Sequence, residues 1–189
     1  MNLFDITLEY LYLGITHVIP YGYDHILFIV SFIISASDIR RGIIQCSIFT
    51  LSHSISLALS ASDFILNNTS LIEPLIALTL LFSSVDNIIQ FKNYKKEMLL
   101  FLFGLIHGMG FASSLKESGI YQEHFFASLF SFNLGVELGQ IMIIVFIYYT
   151  FLKWFRQKKW YERNFLFPAS SIIGCIAIYW TIERILNFQ

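Results

Sequence analysis

Apolar residues run along this chain in long blocks, separated by short polar breaks. The breaks read "SDIRRG", "DFILNNT", "FKNYKK", "LKESGIYQE" and "KWFRQKKWYERN". Between and beyond them lie apolar runs at about 22–37, 43–62, 70–91, 97–114, 124–152 and 165–186. Most approach the roughly 20 residues that carry a helix across a bilayer. Within lipid a segment must satisfy its own backbone hydrogen bonds, so each run predicts a helix. The pattern predicts an all-α fold, a polytopic transmembrane bundle of about six crossings forming one membrane-embedded domain over residues 1–189.

The first 20 residues fit that pattern less well. Leu3, Phe4, Ile6, Leu8, Leu11, Leu13 and Ile15 suit lipid, but Asp5 and Glu9 interrupt them. A charge at mid-bilayer costs roughly 2.5–3.5 kcal/mol. We expect a helix at the outer interface, broken at "PYG" (Pro20 to Gly22), and a seventh crossing stays open. "MNLFDITLEY" has no positive n-region, so it does not read as a cleavable signal peptide.

Composition strengthens the membrane reading. Of 189 residues, 56% are hydrophobic and 13% charged, against about 25% charged in soluble domains. A net charge of −1 gives nucleic acid no purchase. Basic residues fix an orientation: two, three and five fall in the first, third and fifth loops, ten of the twelve in the chain, leaving Lys116 and Arg184. Cytoplasmic loops hold the excess of Lys and Arg, which puts these loops inside and the C-terminus outside. Cys46 and Cys175 lie in apolar runs, form no CxxC, and read as ordinary buried thiols.

Ionisable side chains in membrane helices usually face the bundle interior and mark a site. "GITHVIPYGYDHILF" places His17 before the predicted break and Asp24 and His25 after it. In the second crossing His53 shares a face with Cys46 and Ser60. The third aligns Thr79, Ser83, Asp86 and Gln90. In the fourth, Gly104, Gly108 and Ala112 form a small-residue face beside His107. The fifth sets Asn133, Glu137 and Gln140 on one stripe and Ser131, Gly135 and Gly139 on the opposite side. The sixth carries Glu183 and Arg184 at its outer end and needs only packing to explain it, and His124 reads as solvated. At about 1.5 Å per residue, His25 falls a few ångströms below the outer boundary, His107 about 10 Å, His53 about 13 Å and Glu137 about 20 Å. Imidazoles with carboxylates suit a first-row divalent cation such as nickel, cobalt or zinc, while a proton relay is the competing use.

Five pieces in order, "THVIPYGYDHILF", "FTLSHSISLALS", "EPLIALTLLFSSVDN", "FGLIHGMGFASSL" and "FNLGVELGQ", resemble the HupE/UreJ family of membrane proteins, and its second branch in particular. The resemblance spans residues 16–140. It implies a small bacterial permease-like protein of the cytoplasmic membrane, linked to nickel supply for hydrogenase and urease, with histidine motifs handling metal. Two departures stand out. His17 and Asp24 are separated by six residues where the family has five, and "HGMGFA" holds one His-Gly unit where the nickel-linked branch has a pair and a glutamate. Carried over by position, the metal candidates are Asp24, His25, His53, His107 and Glu137, with His17, Asn133, Asp86 and Gln140 behind them.

Three functions follow, in this order. A divalent-metal permease needs a polar ladder with a site near mid-depth; its small size suits a homo-oligomer or an accessory partner. A metal-dependent hydrolase would use three histidine ligands with Glu137 or Asp24 as base, though no HExxH appears. An accessory subunit would use the polar groups for packing alone. No nucleotide-binding loop is present.

Overall fold

Helix boundaries follow the apolar runs closely, because the polar breaks supply the caps. The computed structural model describes residues 2–62, 64–65, 68–91, 95–117 and 124–187, without the side chains of 69, 113, 114, 116 and 117. Lys92 and the Lys116 side chain, both used in the orientation argument, lie outside the described residues. The helices are α1 (Leu3–Val18), α2 (Tyr23–Ser35), α3 (Ile39–Ala61), α4 (Thr69–Ile89), α5 (Lys96–Glu117), α6 (Phe125–Ile147) and α7 (Phe167–Leu186). α6 continues through a π-helical turn, Tyr148–Leu152, and another, Glu162–Leu166, leads into α7. Asn2 caps α1 by accepting from the Asp5 amide at 2.8 Å, and Asp38 caps α3 by accepting from the Arg41 amide at 2.9 Å. α4 ends on Gln90 in the left-handed region, φ 55°.

Among the described residues, α3, Ser70–Ile89 of α4, Phe125–Phe155 and Glu162–Leu186 are long and apolar enough to cross a membrane. α1 and α2 pass as a pair, bent by 67° at the break. The fourth expected run forms the 22-residue α5. Large apolar side chains such as Phe126, Phe130 and Phe146 are exposed, while Ser52, His53 and Ser128 are buried. That is the distribution of a bundle whose outer solvent is hydrocarbon.

α1 packs along α6. Leu11, Gly14, Ile15 and Val18 meet Phe132, Gly135, Val136 and Gly139 in rising order, so the two helices run the same way. A Cβ on Gly14 would strike the Phe132 carbonyl, and one on Gly135 the Leu11 carbonyl. The stripe of small residues is therefore a backbone contact. α3 and α5 pair likewise: Gly104 admits the Phe49 carbonyl and Ser52, and Gly108 the His53 carbonyl and Ser56. α7 lies against α4 through Gly174 and Ser84, which leaves Cys175 exposed rather than buried; Cys46 is buried as expected.

The basic loops gather at one end. Arg41 pairs with Glu97 at 3.5 Å and Lys96 with Asp86 at 3.5 Å, while the Tyr161 hydroxyl donates to the Ile34 carbonyl at 3.0 Å. Hydrogen bonds from the Arg41 amide and Ser37 hold the Asp38 carboxyl below its usual value. Burial pushes the Tyr161 phenol up to about 12, against the opposing charge of Arg156.

Candidate metal centre

Four helices bring four histidines together. The glycine contacts draw α5 onto α3 and set His107 beside Phe49, with ring centroids 5.0 Å apart. The break between α1 and α2 folds His17, in the last turn of α1, back on His25, in the first turn of α2, at 4.7 Å. His25 lies 5.7 Å from His53 and 5.4 Å from His107, and His17 lies 6.4 Å from His53. A transition metal sits about 2.0–2.1 Å from an imidazole nitrogen, hence about 3.2 Å from the ring centre. Rings sharing one ion then stand about 4.5 Å apart when cis and about 6.4 Å when trans. All four observed spacings fall within that interval.

Hydrogen bonds fix which nitrogens are free. The Asp24 carboxylate accepts from both the amide and Nδ1 of His25, at 2.9 and 3.1 Å, so Nδ1 carries the proton and Nε2 is free. Thr79 has a single hydroxyl proton, which it donates to the Ile76 carbonyl at 2.7 Å. Its contact with Nε2 of His107 at 3.0 Å is then received from the ring, leaving Nδ1 bare. Nε2 of His17, Nε2 of His25, both nitrogens of His53 and Nδ1 of His107 are buried without a partner. Leaving such a group unsatisfied costs about 1–3 kcal/mol, so five in one cluster call for water or a bound ion as partner. Among the described residues no three His, Cys, Asp or Glu side chains are arranged to hold an ion. The donor chemistry fits a cation and the rings stand at coordinating spacing, but the nitrogens do not converge.

Aromatic side chains enclose the cluster. Phe111 and Phe132 stack on each other at 5.0 Å and flank His17, while Phe28 lies 5.3 Å from His107 and packs on Phe49 and Phe103. Further along α2 the contacts turn polar. The Ser31 and Ser83 hydroxyls meet at 2.9 Å, and the Asn87 amide donates to the Ser31 carbonyl at 2.7 Å. Asn87 then borders a cavity of about 600 Å³ at the basic end.

The remaining candidates lie apart from the histidines. Glu137 accepts from the Ser47 hydroxyl at 2.7 Å and lines, with Asn133, a separate cavity of about 580 Å³ between α3 and α6. The glycine stripe of α6 is occupied by α1, which carries His17, and the opposite stripe with Glu137 is thereby turned away. Asn133 donates to its own helix at Leu129, and Gln140 accepts from Cys46 Sγ and from Thr50 at 2.9 Å. Asp86 is held by Lys96 at the basic end. Sequence reasoning missed Arg184, which turns inward to Asp24 at 3.9 Å and Glu73 at 3.2 Å; an arginine in an apolar helix was the available signal. It also missed Thr79 as the partner of His107, which no periodicity could reveal.

The family model described as HupE / UreJ protein matches residues 2–184. No curated protein and no solved structure matches the chain.

Proposed function

The chain belongs to the HupE / UreJ family, and from that premise we propose that it is a membrane permease for a divalent transition metal, nickel or cobalt. The single observation that carries the reading is the set of five unpartnered imidazole nitrogens in the His17, His25, His53 and His107 cluster. The cargo ion replaces its waters with imidazoles as it enters. Asp24 fixes the tautomer of His25 and adds negative charge beside the cation. Phe28, Phe49 and Phe103 close the route toward Ser31, Ser83 and Asn87, so passage requires these rings to part. The basic end faces the cytoplasm of a bacterial inner membrane by the positive-inside rule, and the ion is released there past Asp86.

The second reading, a zinc-type hydrolase, uses the same histidines; its support is the Asp24 carboxylate hydrogen-bonded to His25 at 3.1 Å. It would need a carboxylate base, and Asp24 is the one adjacent to the rings. An accessory role for packing alone leaves the unpartnered nitrogens without purpose.

The test uses the full chain, purified in detergent without metal and loaded with nickel, cobalt or zinc. Elemental mass spectrometry should find a stoichiometric ion that is lost in both His53→Ala and His107→Ala. Failure to bind under every loading condition would sink both metal readings. In proteoliposomes, Asp86→Asn should slow uptake while leaving binding intact; a hydrolase would tolerate that substitution.

A further inference from the structure

The cavity at the basic end has an electrostatic imbalance that the metal reading does not use. Its walls carry Arg41, Lys95, Lys96 and Arg156 against Asp86, Glu97 and Glu162. Two of the carboxylates are engaged, Asp86 by Lys96 and Glu97 by Arg41, and Glu162 is exposed. Arg156 has no ion-pair partner among the described residues, and its Nη1 is buried with no hydrogen-bond acceptor. Burial of this guanidinium lowers its proton affinity, which marks a charge placed at a cost. Gln45, on the wall of the same cavity, is 1% exposed and its side-chain oxygen has no partner either. A half-buried guanidinium with a buried, unpartnered Nη1 and a buried acceptor thus border one polar chamber of about 600 Å³.

We propose that this chamber binds a phosphate-bearing anion, with Arg156 forking onto the phosphate oxygens and Gln45 accepting from a hydroxyl on the same ligand. Guanidinium is the group that matches phosphate geometry in two parallel hydrogen bonds. Two sources present this chemistry, an anionic phospholipid headgroup and a free phosphate. The first is favoured by level: Tyr149, Trp154 and Trp160 are exposed around the same turn, and such aromatic residues sit at the headgroup zone of a membrane. Basic pockets between helix ends at that depth hold acidic headgroups. The site is separate from the histidine cluster and stands whether or not that cluster carries metal.

Native mass spectrometry of the detergent-purified full chain tests it, with phosphatidylglycerol, phosphatidylcholine and inorganic phosphate as probes. Phosphatidylglycerol should be retained, phosphatidylcholine should not, and Arg156→Gln should weaken retention about tenfold. Lys159→Gln removes the same charge from an exposed position outside the cavity and should leave retention unchanged. Displacement of the lipid by inorganic phosphate would keep the site and identify free phosphate as a ligand. Equal retention of both lipids, or equal losses in the Arg156 and Lys159 variants, would overturn the proposal. Should Arg156→Gln fail to fold, Arg156→Lys keeps the charge without the fork and must still bind severalfold more weakly; wild-type retention there would also overturn it.

Discussion

Thr79→Val is the substitution that isolates the tautomer argument. Valine matches threonine in shape, but it removes the oxygen that accepts from Nε2 of His107 at 3.0 Å. The ring is 2% exposed, so its proton has no water to turn to. Leaving that donor unsatisfied should destabilise the protein by about 1–3 kcal/mol. The ring can escape by moving the proton to Nδ1, the nitrogen otherwise free to bind. Loss of an orienting partner typically lowers metal affinity about 10–100-fold, which is about 1.4–2.8 kcal/mol. Isothermal titration of metal into wild type, Thr79→Val and Thr79→Ser measures it, with thermal melting alongside. Serine keeps the hydroxyl and should restore most of the affinity. Unchanged affinity in Thr79→Val, or an equal loss in Thr79→Ser, would refute the assignment of Nδ1 as the binding atom.

Two further outcomes follow from the packing and the caps. Gly14→Val should lower the melting temperature, since its Cβ meets the Phe132 carbonyl and such overpacking costs about 1–3 kcal/mol; an unaltered melt would show that α1 is not seated on α6. Asp38 has a folded value below its unfolded one, so its stabilisation is present above the unfolded carboxylate value of about 4 and fades as pH falls through the folded value. Melting curves from pH 6 to pH 3 should show that slope in wild type and less of it in Asp38→Asn, which keeps a capping side chain without the titration.

Much of the fold was legible in the chain because lipid imposes a simple rule. A stretch that cannot hydrogen-bond to its solvent must be helical, so the apolar runs and polar breaks mark the helices of the bundle. Small residues at spacing four signalled close contacts, and Gly104, Gly108, Gly135 and Gly139 all lie against a neighbouring helix. His53 and His107 could be singled out because imidazoles are rare at such depth. Spacing places His17 behind the other histidines, although the break gives it a ring contact with His25.

Periodicity tells which residues share a face, not which helix that face will meet. Glu137 and His53 both looked inward from their own helices, yet the histidines face one another while Glu137 meets Ser47. Only the seating of α1 on the glycine stripe of α6 decides this, because it turns the opposite stripe elsewhere. Arg184 shows the same limit: its position in the chain puts it at the end of a helix, and its side chain reaches back to Asp24 and Glu73. The sequence by itself determined the helices, their charged ends and the list of polar candidates, since these depend on local hydrogen bonding and transfer energy. The tertiary structure alone decided which candidates meet, since apolar surfaces gain little by choosing one apolar neighbour over another, and the pairing of helices rests on steric fit between backbones.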